Sequence, residues 1–248
     1  MYPQTERKAW LPAYMGRFTT ILWDLDQTIL DFDKSMDYAL RASFKHLGLT
    51  ISDEIVERYA AINDSYWKRL ELGEVTKNEV LTGRFRTLFK ELKISQYQPE
   101  DIADYYQEQL GSVAFFLNSS DQVIRCLKEK GFKQFVLTNG VNKTQANKMK
   151  ISGLNQLVDG VFVSELIGCP KPMKEYYDAC FSNPALTDTD RSECLIVGDS
   201  LTSDMKGANN AGIAACWYNP TGAVNDKAVA IDYEIRCLEE LYPILGFS

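Results

Sequence analysis

Four carboxylates, one hydroxyl and one ammonium stand out by where they fall in the chain. They are Asp24 and Asp26 in Asp24-Leu25-Asp26-Gln27-Thr28, Thr138 in Thr138-Asn139-Gly140, Lys171 between Pro170 and Pro172, and Asp199 with Asp204 after Gly198. The first, second and fourth groups each follow a short apolar run of strand character. In an open parallel sheet, ligands bind beyond the C-terminal ends of the strands, so these side chains are expected to converge on one edge. A carboxylate there can attack phosphorus and split a difficult displacement into two steps through an aspartyl-phosphate. A second carboxylate can protonate the leaving oxygen and later deprotonate water. Asp24 and Asp26 alternate along an extended chain and therefore point in different directions unless the backbone turns between them, which suits two separate tasks.

Phosphoryl transfer also requires charge neutralisation. Clustered carboxylates without histidine suit Mg²⁺, a hard cation that prefers oxygen ligands, and Asp24 and Asp199 are the natural side-chain ligands. Thr138, the neighbouring Asn139 and backbone N–H groups, and the Lys171 ammonium are candidates to hold the phosphate oxygens. Asp204, five positions beyond Asp199, either orients Lys171 or a metal-bound water or is a first-turn helix acid favoured by the helix dipole. The flanking prolines are expected to hold Lys171 extended.

The elements that must position these groups fall into three kinds. A buried strand over Thr19–Trp23 comes first. Residues 34 to 111 then read as helix, in four amphipathic segments without a strand between them. From about residue 120 the pattern alternates: helix Asp121–Lys130, strand Gln134–Leu137, helix Lys143–Ile151, strand Val161–Ser164, helix Lys174–Phe181, strand Cys194–Val197, helix Ser203–Ala211, strand Ile213–Trp217, then a last strand and helix. Such alternation predicts an α/β fold with a parallel sheet covered by helices on both faces. Residues 17–32 and 113–248 form its core domain, residues 33–112 a helical insertion, and residues 1–16 an N-terminal extension. Met15 is an alternative start, which leaves residues 1–14 unassigned to the native product.

The order WDLDQT, LTNG, PKP, VGDSLTSD resembles the four signature motifs of the haloacid dehalogenase-like hydrolase superfamily, from residue 19 to the end of the chain. That resemblance implies a Rossmann-like core with Asp24 as nucleophile, Asp26 as general acid/base, and Thr138 and Lys171 as phosphate holders. It also implies Mg²⁺ held by Asp24, the backbone carbonyl of Asp26, and Asp199. The insertion resembles the family's four-helix α-helical cap. Members that cleave carbon–halogen bonds typically lack the second aspartate, so Asp26 favours a phosphatase or phosphomutase. Asn63, Trp67, TNGVNKTQANKMKISGL, VSELIGCPKP and NNAGIAACWYN are similar to bacterial 5′-nucleotidases acting on pyrimidine and noncanonical nucleoside monophosphates.

Simpler roles compete at several positions. Asn63 lies within an apolar helical stripe and is either a satisfied buried amide or a base-reading group. Trp67 and Tyr66 are cap core or a stacking platform. Thr138-Asn139-Gly140 taken alone is a turn. A sugar-phosphate phosphatase or phosphomutase, and a non-catalytic interaction protein on the same fold, are the alternatives to a nucleotidase. Cap groups able to hold a second phosphate would mark a mutase.

Composition narrows the classes further. The 248 residues are 45% hydrophobic, 25% charged and 12% aromatic, which are ordinary globular values. With 27 basic against 34 acidic residues the net charge is −7, and no Lys/Arg run offsets it, so nucleic-acid polymers are not expected partners. The expected partner is a small phosphorylated metabolite. His46 is the only histidine, which removes Ser-His-Asp and Cys-His schemes. Six cysteines without C-x-x-C spacing suggest free cytosolic thiols. No signal peptide or membrane-length apolar run is visible, so a cytoplasmic protein without membrane association is expected.

Overall fold

A computed structural model describes residues 16–247. The expectations for the N-terminal extension and the Met15 start lie, apart from Gly16, outside the described residues. Six strands form one sheet in the order β3-β2-β1-β4-β5-β6, and every pairing is parallel. The strands are β1 Thr20–Trp23, β2 Lys133–Thr138, β3 Gly160–Val163, β4 Cys194–Gly198, β5 Ala214–Tyr218 and β6 Tyr233–Ile235. A strand turns successive side chains to opposite faces, so a central strand must be apolar at every position. In β1, Ile21 and Trp23 enter one buried cluster and Leu22 the other; in β4, Leu195 and Val197 oppose Cys194 and Ile196.

Helices close both faces. The helices α5 Ser120–Glu129, α6 Asn142–Ser152 and α10 Leu241–Ile244 cover one; α8 Lys174–Phe181 and α9 Lys206–Ala211 cover the other. A short helix, α7 Ser164–Ile167, follows β3 where the sequence indicated only the strand end. The helix expected over Ser203–Ala211 begins instead as a π-helical turn, Leu201–Met205, before α9. Such wide turns are often found at functional sites, and this one carries Asp204.

Between β1 and α5 the chain forms α1 Phe32–His46, α2 Asp53–Glu71, α3 Lys77–Glu91 and α4 Pro99–Leu110. Their starts have local causes. Asp31 accepts the Lys34 N–H to cap α1, Thr76 and Glu79 make a capping box for α3, and Pro99 sits in the first turn of α4. Their apolar stripes bury one another in a third cluster drawn from residues 36 to 110, separate from the two that sandwich the sheet.

Candidate active site

The central strand β1 has β2 on one side and β4 on the other, and Trp23 pairs with both Val136 and Val197. From that level the strands end within two residues of one another, β1 at Trp23, β4 at Gly198 and β2 at Thr138. Asp24, Thr138 and Asp199 therefore meet at the point where the chain's sheet order reverses, the usual ligand crevice of this architecture. The Asp24 N–H donates to Val197 O at 2.9 Å, which holds Asp24 in line with the strand. Three residues on, Gln27 adopts a left-handed φ of 63°, and its side chain is tied to the Phe32 N–H and to Asp33. The two aspartates face different partners.

Asp24 faces Lys171, whose ammonium is buried and donates to Asp24 Oδ1 at 2.7 Å, Asp204 Oδ1 at 2.7 Å and Leu137 O at 2.8 Å. All three donors of the ammonium are thus matched. Burial alone would pull the Lys171 pKa down, but Asp204 and Asp24 outweigh it and hold the group well above its ordinary value. Burial pushes Asp24 up to about 7 against the pull of Lys171, with Asp204 and Asp26 adding to the rise. Asp199 is likewise held well above the ordinary carboxylate range, by burial first and then by Asp24 and Asp204.

Asp26 faces α6. Its Oδ2 accepts from Gln145 Nε2 at 2.7 Å and its Oδ1 from Lys148 Nζ at 2.7 Å. Gln145 Nε2 also lies 2.8 Å from Thr138 Oγ1, which in turn accepts the Gly140 N–H at 3.0 Å. Gly140 is required here, since a Cβ at that position would overlap the Gln145 amide. Gly198 is required likewise, because a Cβ would overlap the Asp204 carboxylate.

The structure gives the remaining candidate residues definite partners. The Asn139 amide does not point to a phosphate position: its Oδ1 accepts the Lys171 N–H at 2.9 Å and its Nδ2 donates to Lys171 O at 3.0 Å. This two-point grip fixes the Lys171 backbone. Lys171 lies in a turn that the Met173 N–H closes onto Pro170 O at 3.0 Å, with the Lys171–Pro172 peptide cis. Asp204 is buried, with Oδ1 on Lys171 and Oδ2 accepting the Ser200 N–H at 3.1 Å, so it orients the lysine. Asn63 is buried, and its Oδ1 accepts from Arg84 Nη1 at 2.7 Å and Trp67 Nε1 at 3.2 Å. Trp67 nevertheless lines a small cavity beside Asp26, together with Phe32, Arg84, Leu110, Gln145 and Lys148. His46 is exposed and stacks on Tyr105, with ring centroids 4.1 Å apart.

Gln145, Lys148, Thr28 and Glu71 received no role from the sequence. Gln145 and Lys148 had a visible signal: the buried face of α6 is Thr144, Gln145, Lys148 and Met149, mostly polar where an amphipathic helix should be apolar. Thr28 Oγ1 lies 3.4 Å from Asp199 Oδ1. Glu71, at the end of α2, accepts the Thr202 hydroxyl and so ties the helical unit to the turn that carries Asp204. A second tie is Lys77, which donates to Gly140 O at 2.7 Å and pairs with Glu165 at 3.2 Å.

The residues present fit a divalent cation. Carboxylate oxygens of Asp24, Asp199 and Asp204 lie within 4.8 Å of one another, and the donor set is entirely oxygen. Asp204 is taken up by Lys171 and Ser200, which leaves Asp24 and Asp199 as side-chain ligands. Among the described residues the Asp26 carbonyl, the third ligand that the resemblance implies, accepts no backbone hydrogen bond.

Comparison with known proteins bears on this arrangement. Residues 18–212 match the model of the haloacid dehalogenase-like hydrolase family. YfnB of Bacillus subtilis, named as a HAD-hydrolase with no substrate, is 36% identical over 94% of this chain and 98% of its own. A crystal structure of YfnB bound to magnesium, described as revealing interdomain movement, superposes with a TM-score of 0.87 over 94% of this chain and 100% of that one. The pyrimidine 5′-nucleotidase PynA of Streptococcus pneumoniae is 31% identical over 91% of this chain and 94% of its own. The pyrimidine 5′-nucleotidase YjjG of Escherichia coli is 26% identical over 91% of this chain and 96% of its own. No helix among the described residues is long and apolar enough to cross a membrane.

Proposed function

The chain belongs to the haloacid dehalogenase-like hydrolase family, and from that premise we propose that it is a phosphomonoesterase acting on nucleoside 5′-monophosphates, pyrimidine nucleotides foremost. The observation that carries this reading is the division of the two aspartates, Asp24 against Lys171 and Asp26 against Gln145 and Lys148. Two carboxylates in separate surroundings can take separate roles. The names of PynA and YjjG support the substrate class.

In this reading an Asp24 carboxylate oxygen attacks phosphorus, the bond from phosphorus to the nucleoside O5′ breaks, and protonated Asp26 gives its proton to that oxygen. Asp26 then takes a proton from the water that attacks the aspartyl-phosphate, which releases phosphate and restores Asp24. Lys171 and the Thr138 hydroxyl hold phosphoryl oxygens; the Lys171 donor now on Asp24 Oδ1 is the one placed to shift to the phosphate. Asn139 and Asp204 keep that ammonium in position from its backbone and its head. Gln145 and Lys148 fix Asp26. Mg²⁺ bound by Asp24, Asp199 and the Asp26 carbonyl would supply charge neutralisation for the phosphoryl group. The helical unit of residues 33–112 acts as a cap on the core of residues 17–32 and 113–248, excluding water from the site.

The test is a screen of purified protein with Mg²⁺ over nucleoside monophosphates and sugar phosphates, with Asp24→Asn as the control. UMP or CMP is expected to lead, and the variant to release no phosphate from any substrate. A sugar phosphate hydrolysed well ahead of every nucleotide would refute the substrate class. Full activity in Asp24→Asn would refute the nucleophile.

A further inference from the structure

Arg84, in the middle of α3, is 1% exposed, yet it has no carboxylate partner among the described residues. Its Nη1 donates to Asn63 Oδ1, while Nε and Nη2 have no partner. These two nitrogens form the side-on edge of the guanidinium, the fork that takes acceptor oxygens two at a time. Aromatic rings contribute to holding the cation: its Cζ lies 4.9 Å from the centre of Tyr106, 5.4 Å from Phe85 and 5.9 Å from Tyr59. Rings do not replace hydrogen bonds, and a buried donor without a partner is costly. The other cation at this cavity, Lys148, is matched by Asp26, so the positive charge of Arg84 is the one left uncompensated.

The position of the cavity gives this edge a purpose. Arg84 and Asp26 line the same space between the helical unit and the core, walled by Phe32, Trp67 and Leu110. If Asp26 serves the leaving oxygen, whatever is attached to that oxygen extends into this space, and flat apolar walls suit an uncharged ring. We propose that the free Nε/Nη2 edge of Arg84 receives a carbonyl oxygen of the substrate's base, the 2-carbonyl shared by pyrimidines, and that the wall of Trp67 and Phe32 receives the ring. This rests on the nucleotidase reading and adds the group that reads the base. At about 20 Å³ the cavity holds little more than one water, so the helical unit must lift to admit a nucleoside. The ties it must release are Glu71–Thr202 and Lys77 with Gly140 and Glu165.

The experiment pairs a change in the protein with a change in the substrate. kcat/KM is measured for UMP, for ribosylbenzene 5′-phosphate, which keeps the ring but drops its oxygens, and for ribose 5-phosphate, in wild type, Arg84→Met and Arg84→Lys. The wild type is expected to favour UMP over the benzene analogue by about 10- to 100-fold, as a charge-assisted hydrogen bond would give. Arg84→Met is expected to bring that ratio near one, and Arg84→Lys to restore little, having no fork. Equal losses on all three substrates would overturn the proposal in favour of a structural arginine. A wild type that does not distinguish UMP from its benzene analogue would overturn it even if Arg84→Met fails to fold. Strong preference for a sugar bisphosphate, lost in Arg84→Met, would assign the edge to a second anion and overturn the carbonyl. If wild type treats UMP no better than ribose 5-phosphate, the nucleotidase reading falls with it; if UMP is preferred and the preference survives in Arg84→Met, only the Arg84 assignment falls.

Discussion

Replacing Lys148 by Met tests whether α6 acts through Asp26. The Lys148 side chain is 1% exposed and its ammonium lies 2.7 Å from Asp26 Oδ1, while Gln145 takes the other oxygen at 2.7 Å. With both oxygens held, the carboxylate cannot rotate; with Lys148 gone, one contact remains and the group can swing away from the leaving oxygen. Met keeps most of the stem's packing. The carboxylate is 26% exposed and regains water, so the loss of stability should fall below the roughly 3–5 kcal/mol of a fully buried broken pair. The kinetic loss should be larger. General acid–base catalysis is worth about 10²–10⁴-fold, and misplacement by an ångström costs about 10²-fold, so kcat on UMP should drop by roughly 10². p-Nitrophenolate departs without a proton, so kcat/KM on p-nitrophenyl phosphate, which covers only formation of the aspartyl-phosphate, should fall by less than about fivefold, against about 10² for kcat/KM on UMP. In the Asp26→Asn background, adding Lys148→Met should cost nothing further on UMP, because the residue that Lys148 positions is already disabled. Steady-state kinetics on the two substrates decides. Equal losses of kcat/KM on both, or additive losses in the double variant, would refute the role assigned to Lys148.

Glu71 predicts a pH-dependent cap. Burial pushes its pKa from 4.5 up to about 7 in the seated state, Asp204 adds to the rise, and the Thr202 hydrogen bond and nearby lysines only partly oppose it. Seating therefore binds a proton: it is favoured most below pH 4.5, and the advantage, up to about 10²-fold, is lost as pH rises to 7. Amide exchange at the C-terminal turn of α2 should quicken across that window in wild type and stay flat in Glu71→Gln; parallel profiles would refute it. Gly140→Ala should displace the Gln145 amide from Asp26 and Thr138 and lower kcat on UMP by about 10-fold or more, so turnover within twofold of wild type would contradict the packing described. Added Mg²⁺ should raise the melting temperature of metal-free wild type and not that of Asp199→Asn, and an equal rise in both would place the ion elsewhere.

How much of this was legible in the sequence depends on what each residue touches. Strands buried on both faces announce themselves as apolar runs, and the acids that follow them could be placed at one edge from chain order alone. α8 was placed without error, because its stripe Tyr176, Tyr177 and Cys180 is apolar and periodic. What failed was contact between segments far apart in the chain. Asn139 looked like a phosphate group because it follows Thr138, yet its partner is the backbone of a residue 32 positions away. Lys148 carries no motif that distinguishes it from a solvated helix lysine; only the fold brings it to Asp26, 122 positions earlier. The sequence leaves Asp204 between two readings, because the wide turn that aims it at Lys171 is not written in local propensity. The insertion could be read as four helices, but not that Glu71 and Lys77 tie it to the core.

The net charge of −7 sits awkwardly with an anionic substrate until it is resolved by position. At the strand ends, Asp24, Asp26, Asp199 and Asp204 face Lys148 and Lys171, an excess of two negative charges. The excess is uneven. Lys148 answers Asp26, and Lys171 is shared by Asp24 and Asp204, so Asp199 is left with the Thr28 hydroxyl at 3.4 Å. Burial then drives the Asp24 and Asp199 pKa values up, which expresses how poorly the bare cluster tolerates its charge. A divalent ion at these oxygens removes the same two charges and turns the edge from one that repels phosphate into one that accepts it. The acidity of the site thus serves to couple anion binding to cation binding.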